Sequence, residues 1–167
     1  IVVDDGSTDN TREVVSGFPA PIHYVYQTNC GVSSARNHAF RISSGEYILM
    51  LDSDDLLLPE ALEKLSAVLE SEPDTDLVHG DGLVFSVGGN VTERRSEYWR
   101  APYETFLENV VLCNTLPIIE VALARRDLLM SVDGPFDEEM IGYEDWDLAI
   151  RLVATGCRVS SIPEPIS

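Results

Sequence analysis

The sequence has little positive charge, and this scarcity limits the possible partners. Its 167 residues hold 11 Lys and Arg against 29 Asp and Glu, which gives a formal net charge of −18. Most of the surface of such a chain repels a phosphate backbone, so we do not expect it to bind nucleic acid. A ligand that carries a diphosphate would need a local cation to be held against the same field.

Cysteines are few, and long apolar runs are absent. Cys30, Cys113 and Cys157 are widely spaced and form neither a CxxC pair nor a disulfide framework, which favours a reducing, cytoplasmic compartment. No apolar run approaches the length of a membrane span. We therefore expect a cytoplasmic protein that is soluble or peripheral at the inner face of the membrane. The length fits one domain with a sizeable core.

The most informative stretch begins at Tyr47. Five apolar residues, Tyr47 to Leu51, come without polar alternation, which is typical of a strand buried on both faces of a parallel sheet. The sequence Asp-Ser-Asp-Asp follows at once, at residues 52–55. Open α/β sheets place their ligand crevices at this end of a strand, so these acids are candidates for a binding site.

Asp52, Asp54 and Asp55 repel one another unless water solvates them or a cation lies among them. Hard divalent ions with oxygen ligands, Mg²⁺ or Mn²⁺, suit such a cluster. The alternative is a solvated turn and helix start before Pro59, because acids favour helix N-termini. The stretch alone leaves both interpretations open.

Strand-like and helix-like segments alternate through the first half of the chain. Strand patterns lie at residues 1–3, 23–26 and 47–51. Helix patterns follow the second and the third of these, at about residues 33–43 and 59–72. This alternation predicts an α/β fold with a mostly parallel central sheet flanked by helices. The turn sequence Gly88-Gly-Asn90 lies between two further strand patterns, which predicts a hairpin and a small antiparallel element.

A second notable stretch, residues 134–147, joins a turn-rich loop to a helix that begins at about Glu144. Asp147 and Arg151 lie four residues apart on this helix and are predicted to pair. Glu144 and Asp145 suit a helix N-terminus, so simple capping is one interpretation of them. The charge pattern as a whole predicts an acidic crevice with two carboxylate groups, this pair and the acids of the first stretch.

Four motifs occur in a fixed order over nearly the whole chain. They are Val2-Val-Asp-Asp-Gly-Ser-Thr-Asp9, Gly31-Val-Ser-Ser-Ala-Arg-Asn37, Gly45-Glu-Tyr-Ile-Leu-Met-Leu-Asp-Ser-Asp-Asp55, and Gly134-Pro-Phe-Asp-Glu138 with Glu144-Asp-Trp-Asp-Leu148. Each motif is weak alone, but four in register are specific. In these motifs the sequence resembles glycosyltransferase family 2.

The resemblance implies a GT-A fold, which is Rossmann-like, in one domain over residues 1–167. It implies a nucleotide-sugar-binding half at residues 1–81 and an acceptor-binding half at residues 82–167. It also implies an opening strand just before Ile1. The sequence itself begins without a Met, inside a strand pattern. We therefore expect an N-terminally truncated piece of a longer protein.

The resemblance also assigns roles to the motif residues on the donor side. The second acid of the first motif contacts the nucleobase in the family, so Asp5 is the expected base contact, with Asp4 second. Arg36 is expected near the nucleotide. Asp52 and Asp54 are expected at the nucleotide and the metal.

On the metal and acceptor side, the resemblance implies that Asp55 or Asp54 ligates a divalent ion, Mn²⁺ or Mg²⁺, directly. It implies that Asp145 is the general base and that Glu144 lies beside the acceptor. Trp146 is the candidate for stacking on the acceptor, since it adjoins the expected base.

The implied activity is sugar transfer with inversion at the anomeric carbon. The expected partners are a nucleotide-sugar donor, with a UDP-sugar favoured, and a carbohydrate or lipid-linked acceptor. The expected role is synthesis of cell-surface polysaccharide or glycoconjugate.

Three other interpretations of the sequence are possible. A nucleotidyltransferase that forms a nucleotide sugar would normally show a Gly-rich phosphate loop near its first strand, and none is present. A phospho-acceptor receiver domain needs a lysine on a later strand, whereas the only lysine, Lys64, lies on the helix after the acids. An inactive sugar- or nucleotide-binding module of the same fold is the third, although Asp52, Asp54 and Asp145 are intact.

Overall fold

The computed structural model describes residues 1–86, 91–94, 104–119 and 121–167. The strands are β1 (Val2–Asp5), β2 (Tyr24–Gln27), β3 (Tyr47–Leu49), β4 (Leu77–Asp81), β5 (Leu83–Phe85), β6 (Val91–Arg94), β7 (Ala122–Arg125) and β8 (Val159–Pro165). The helices are α1 (Thr11–Ser16), α2 (Val32–Ile42), α3 (Ala61–Ser71), α4 (Phe106–Cys113), α5 (Arg126–Met130) and α6 (Glu144–Ala154). The predicted α/β class is confirmed.

The strands form three hydrogen-bonded groups. β1 and β2 pair in parallel, the order β3-β7-β4-β8 makes a four-stranded sheet, and β5 pairs antiparallel with β6. In the four-stranded sheet β7 runs antiparallel to both β3 and β4, and β4 runs parallel to β8. The sheet is therefore mixed rather than mostly parallel. The predicted hairpin is present as β5 and β6, while its turn at residues 88–90 lies outside the described residues.

The strand before the acids differs from its prediction. β3 ends at Leu49 and pairs antiparallel with β7, and its residues are half-buried. Its successive side chains pack against two different apolar clusters, Tyr47 and Leu49 against one and Ile48 and Met50 against the other. Apolar contact on both faces explains the missing polar alternation. That pattern carries no information on strand direction, which is why the parallel assignment was wrong.

The two apolar clusters lie on opposite faces of the four-stranded sheet. Adjacent residues of β4 divide between them, because Leu77 packs with the cluster that contains α6 and Val78 packs with the cluster that contains α3. Side chains of a strand alternate between faces, so α6 and α3 cover the two sides of one sheet. α6 buries Leu148, Ala149 and Leu152.

The turn after the acids delays the next helix. α3 begins at Ala61, two residues later than a helix start at Pro59 would require. Glu60 precedes the helix with a left-handed backbone, φ 66°, so Pro59 stays in the turn. Among the described residues, no helix has both the length and the apolar character needed to cross a membrane.

Candidate active site

Arg36 joins the two acidic groups, whose members Asp52 and Glu144 lie 92 positions apart in the sequence. Its Nη2 donates to both carboxylate oxygens of Asp52, at 2.6 and 2.8 Å, and its Nη1 donates to Oε1 of Glu144 at 2.8 Å. Asp52 follows β3 and Glu144 begins α6, while Arg36 lies on α2. The predicted acidic crevice with two carboxylate groups is thus present, and a cation lies between its two halves.

The environment of Arg36 fixes its position. The Arg36 side chain is 11% exposed, and its guanidinium lies 5.3 Å from the ring centroid of Phe136. Burial by itself would lower the pKa of Arg36, but the contacts with Asp52 and then Glu144 outweigh it and raise the pKa. Arg36 is consequently a fixed charge that orients both carboxylates.

A cleft of about 430 Å³ opens beside this arginine. Its lining includes Asp52, Tyr143, Glu144 and Asp145. The volume lies in the range of small-molecule sites, roughly 300–1,000 Å³. Glu144 and Asp145 both lie in the first turn of α6, and this turn faces the cleft. Acidic residues are favourable at this end of a helix because of the helix dipole.

Asp54 and Asp55 lie in the turn that follows β3. The backbone N–H of Asp55 donates to the carbonyl of Asp52 at 3.2 Å, which tightens the turn. Among the described residues, the Asp54 and Asp55 carboxylates accept no hydrogen bond and form no ion pair, and no three metal-ligating side chains converge. The donor set still fits Mg²⁺ or Mn²⁺, because these ions take one or two carboxylates together with water and phosphate oxygens.

Asp4 and Asp5, at the end of β1, are held in a different way. Asp5 accepts hydrogen bonds from Gln27 Nε2 at 2.8 Å and from the backbone N–H groups of Cys30 and Gly31 at 2.9 and 2.8 Å. Burial alone would raise the pKa of Asp5, but these donors, Cys30 first, outweigh it and lower the pKa. Asp5 is therefore ionised at neutral pH and fixed to the start of α2.

Asp4 is 5% exposed and accepts from the Tyr24 hydroxyl and from the Ser7 backbone N–H. The Tyr24 hydrogen bond is the main cause that lowers the pKa of Asp4, and the same bond raises the pKa of Tyr24 to about 12. Asp4 thus stabilises the loop, and Asp5 is the more accessible of the two.

A hydrogen-bonded chain behind Asp5 was not foreseen from the sequence. His38 Nδ1 lies 2.7 Å from Gln27 Oε1, and Gln27 Nε2 in turn donates to Asp5. Because the Gln27 amide oxygen can only accept, His38 Nδ1 carries the proton in this arrangement. No spacing rule marks His38, since its partner lies on a strand eleven positions earlier.

Asn37 was also missed as a functional candidate. Its side-chain amide accepts from the Phe136 N–H at 3.0 Å and donates to the Phe136 carbonyl at 2.8 Å, as a backbone strand would. The same Nδ2 contacts Glu138 at 3.0 Å. Asn37 and Arg36 are neighbours on α2, so this helix holds both the loop at 134–138 and the start of α6.

Trp146 is half-buried on α6, and its Nε1 donates to the Val110 carbonyl on α4 at 2.6 Å. Its ring contacts that of Tyr143 edge to face, with centroids 6.1 Å apart. The predicted pair of Asp147 and Arg151 is confirmed at 2.8 Å. Arg151 also donates to the carbonyls of Gly134 and Pro135, so it supports the loop before α6.

The family model for glycosyl transferase family 2 matches residues 1–130 of this chain. The chain belongs to that family, which confirms the resemblance in its motifs. An uncharacterized glycosyltransferase of Haemophilus influenzae is 25% identical over 154 residues, which are 92% of this chain and 51% of that protein. The chain therefore spans about half the length of the curated relatives it matches.

Solved structures show the same fold. TarS of S. aureus, in complex with UDP, aligns with a TM-score of 0.74 and 26% identity, covering 98% of this chain and 48% of TarS. The mannosyltransferase PcManGT of Pyrobaculum calidifontis, in complex with GDP-Man and Mn²⁺, aligns with a TM-score of 0.64 and 23% identity, covering 97% of this chain and 44% of that one. These likenesses confirm the GT-A fold, whereas the division at residue 81 into two binding halves stays a prediction.

Proposed function

We propose that this domain moves a sugar from a nucleotide diphosphate sugar to an acceptor hydroxyl, with inversion at the anomeric carbon. One observation carries the proposal: Arg36 brings Asp52 and Glu144 together at a single cleft. The acids expected to serve the donor and those expected to serve the acceptor then adjoin one cavity. Reaction between two substrates requires this proximity.

The nucleotide is assigned to the side of the site that holds Asp5. A fixed, ionised Asp5 can accept a hydrogen bond from a nucleobase N–H, and Asp4 supports the loop beneath it. Arg36 and Asp52 are assigned to the nucleotide between Asp5 and the acceptor side. A UDP-sugar is favoured as donor, since TarS, the structural neighbour with 26% identity, is seen with UDP.

Asp54 and Asp55, with Asp52, are the residues that would hold a divalent cation. Such a cation, when bound, supplies positive charge against a leaving diphosphate. The chain needs that charge, because its net charge is −18 and Arg36 is already paired with two carboxylates. The proposal therefore includes dependence on Mn²⁺ or Mg²⁺.

Asp145 is assigned as the general base. It lines the cleft in the first turn of α6, and among the described residues no donor occupies its carboxylate, which leaves it able to accept a proton. In the proposed step the acceptor oxygen forms a bond to the anomeric carbon, Asp145 takes the hydroxyl proton, and the nucleoside diphosphate leaves. Glu144, held by Arg36, is assigned to the acceptor side of Asp145.

The direct test incubates the protein with UDP-, GDP- and dTDP-sugars, a panel of methyl glycosides as acceptors, and Mn²⁺. The expected result is a glycoside lengthened by one sugar of inverted anomeric configuration, formed with one nucleotide class. Asp145→Asn should abolish the product. Transfer that survives in Asp145→Asn would contradict the assignment of the base.

A second candidate is a binding module that retains the fold without transfer. One observation favours it: Arg36 occupies Asp52, and no three metal-ligating side chains converge in the described part of the chain. This candidate predicts nucleotide binding that neither Mn²⁺ nor Asp54→Ala changes. The transferase predicts that both change it. Assignment to cell-surface polysaccharide or glycoconjugate synthesis belongs to the transferase proposal and follows from the family resemblance.

A further inference from the structure

Tyr143 stands at the rim of the cleft, immediately before Glu144. Its side chain is 72% exposed, although it lines the same cavity as Glu144 and Asp145. Two positions earlier, Ile141 is fully exposed. A Cβ added to Gly142 between them would meet no atom of the described residues within 4 Å, so these residues leave space at the rim. Exposed apolar groups next to a polar cleft are typical of a binding surface.

The backbone at Tyr143 is costly for this residue type. Its φ is +62°, in the left-handed region that glycine and asparagine adopt more readily than tyrosine. It is also the N-cap of α6, yet its side chain makes no capping hydrogen bond. The left-handed backbone, the missing capping hydrogen bond and the exposed ring of Tyr143 each lower the stability of the folded protein. Tyrosine is therefore present here for a reason other than folding.

The ring nevertheless has a rigid neighbour. Trp146 lies edge to face with Tyr143 at an interplanar angle of 63°, and the indole N–H of Trp146 is tied to the Val110 carbonyl. An edge-to-face contact covers at most one face of the tyrosine ring, so at least one face is free of Trp146. Trp146 thus supports the platform, while Tyr143 presents the larger exposed surface.

We infer that Tyr143 is the surface on which the acceptor packs, and that the acceptor hydroxyl belongs to a sugar ring. A pyranose has one face of C–H groups that is apolar and matches an aromatic face, while its hydroxyls point outward towards polar groups. Packing of that face on Tyr143 holds a ring hydroxyl next to Asp145 at the adjacent helix start. This inference rests on the proposed function and narrows the expected carbohydrate or lipid-linked acceptor to one whose reacting hydroxyl is on a sugar ring.

The test measures binding rather than turnover. Saturation-transfer NMR is recorded with the methyl β-glycosides of glucose, galactose and N-acetylglucosamine, with and without UDP and Mn²⁺, and with glycerol as an alcohol that lacks a ring. The wild-type protein should transfer saturation to the C–H protons of one glycoside face. Glycerol should give no saturation-transfer signal. In Tyr143→Gly the glycoside Kd should rise by roughly 3- to 10-fold, the worth of one aromatic contact.

Two further variants separate binding from folding. Tyr143→Phe keeps the ring and should bind as the wild type does, and Phe18→Ala removes a distant aromatic that is 59% exposed. Because glycine suits a positive φ, Tyr143→Gly should unfold at the same temperature as the wild type or higher. Tight glycoside binding by Tyr143→Gly would overturn the role of the ring, and glycerol binding equal to that of the glycosides would overturn the sugar class.

Failure of the proposed function would be visible separately. UDP and GDP binding is titrated by calorimetry on the same samples, and a wild-type protein that binds neither nucleotide contradicts the transferase. The arm without nucleotide still reports on Tyr143 in that case. Glycoside binding lost in Tyr143→Gly would support the platform there too.

Discussion

The carboxylates of the two ends of the site differ in how the fold holds them. Asp5 accepts three hydrogen bonds from Gln27, Cys30 and Gly31, whereas among the described residues the Asp54 and Asp145 side chains accept none. Asp5 ends β1, Asp54 follows β3 and Asp145 lies in the first turn of α6, and all three belong to the motifs quoted above. In the proposed assignment, the nucleobase end is therefore organised in advance, while the reacting end is left open for groups that arrive with the substrates.

The difference has a physical basis. A carboxylate with three donors has lost most of its freedom and can recognise a ligand at small entropic cost. A carboxylate without partners keeps its accepting capacity for a metal ion or a hydroxyl proton. Arg36 lies between the acids of the proposed donor side and those of the proposed acceptor side and joins them, since it pairs with Asp52 and Glu144 through one guanidinium.

The largest expected effect comes from the open end. Asp145→Asn removes a base without changing the size of the side chain, so transfer should fall by roughly 10³-fold while the nucleotide Kd stays unchanged. Rates and calorimetric titrations measure the two quantities. Asp147→Asn is the matched control, because Asp147 lies on the same helix but is paired with Arg151. Equal losses in both variants would break the distinction between open and held acids.

The next effect concerns the connection between the ends. Arg36→Met should lower the free energy of unfolding by about 3 kcal/mol, because it leaves Glu144, 13% exposed, without its partner. Urea unfolding measures the change. Arg41→Met is the control: its partner Glu138 is 46% exposed, and that pair should contribute less than about 1 kcal/mol. Similar values for the two variants would mean that Arg36 does not organise the cleft.

A smaller effect is expected behind Asp5. Gln27→Leu removes a donor to Asp5, and His38→Ala removes the group that orients Gln27. Each should raise the nucleotide Kd by roughly 3- to 10-fold, the worth of one hydrogen bond, with kcat nearly unchanged. His23→Ala, before β2, is the control. A loss of kcat at constant Kd would show that the chain acts on the reaction rather than on binding.

The smallest expected effect is a dependence of stability on pH. The lowered pKa of Asp5 means that its contribution to folding is complete above the unfolded value, about 3.9, and is lost as the pH falls through the lower folded value. Asp5→Asn should therefore flatten the fall in melting temperature below about pH 4. A melting curve against pH that Asp5→Asn leaves unchanged would contradict the contribution of the three hydrogen bonds to Asp5.

Much of this arrangement was predictable because it is local. The start of α6 at Glu144 and the pair of Asp147 and Arg151 both follow from residue types and spacing along one helix. The family followed from four motifs in order, and the model match over residues 1–130 confirms it. Local pattern is enough wherever the partners lie within a few turns of each other.

The remainder depends on partners that are distant in sequence. Asn37 and Phe136 are 99 positions apart, and Arg36 and Glu144 are 108 apart, so no spacing rule connects them. The direction of β3 was wrong for a related reason: an apolar run records burial, and burial is the same beside a parallel or an antiparallel neighbour. The importance of Tyr143 was hidden too, because backbone strain is not visible in residue type.

The most direct measurement of the central claim is calorimetric titration of UDP, GDP and dTDP, each with Mn²⁺ and with chelator. The account predicts that one nucleotide binds, that chelator weakens it, and that Asp54→Ala weakens it to the level seen with chelator. Asp5→Ala should abolish binding with or without the metal. A folded protein that binds no nucleotide, or binds one equally with Mn²⁺ and with chelator, would contradict the account.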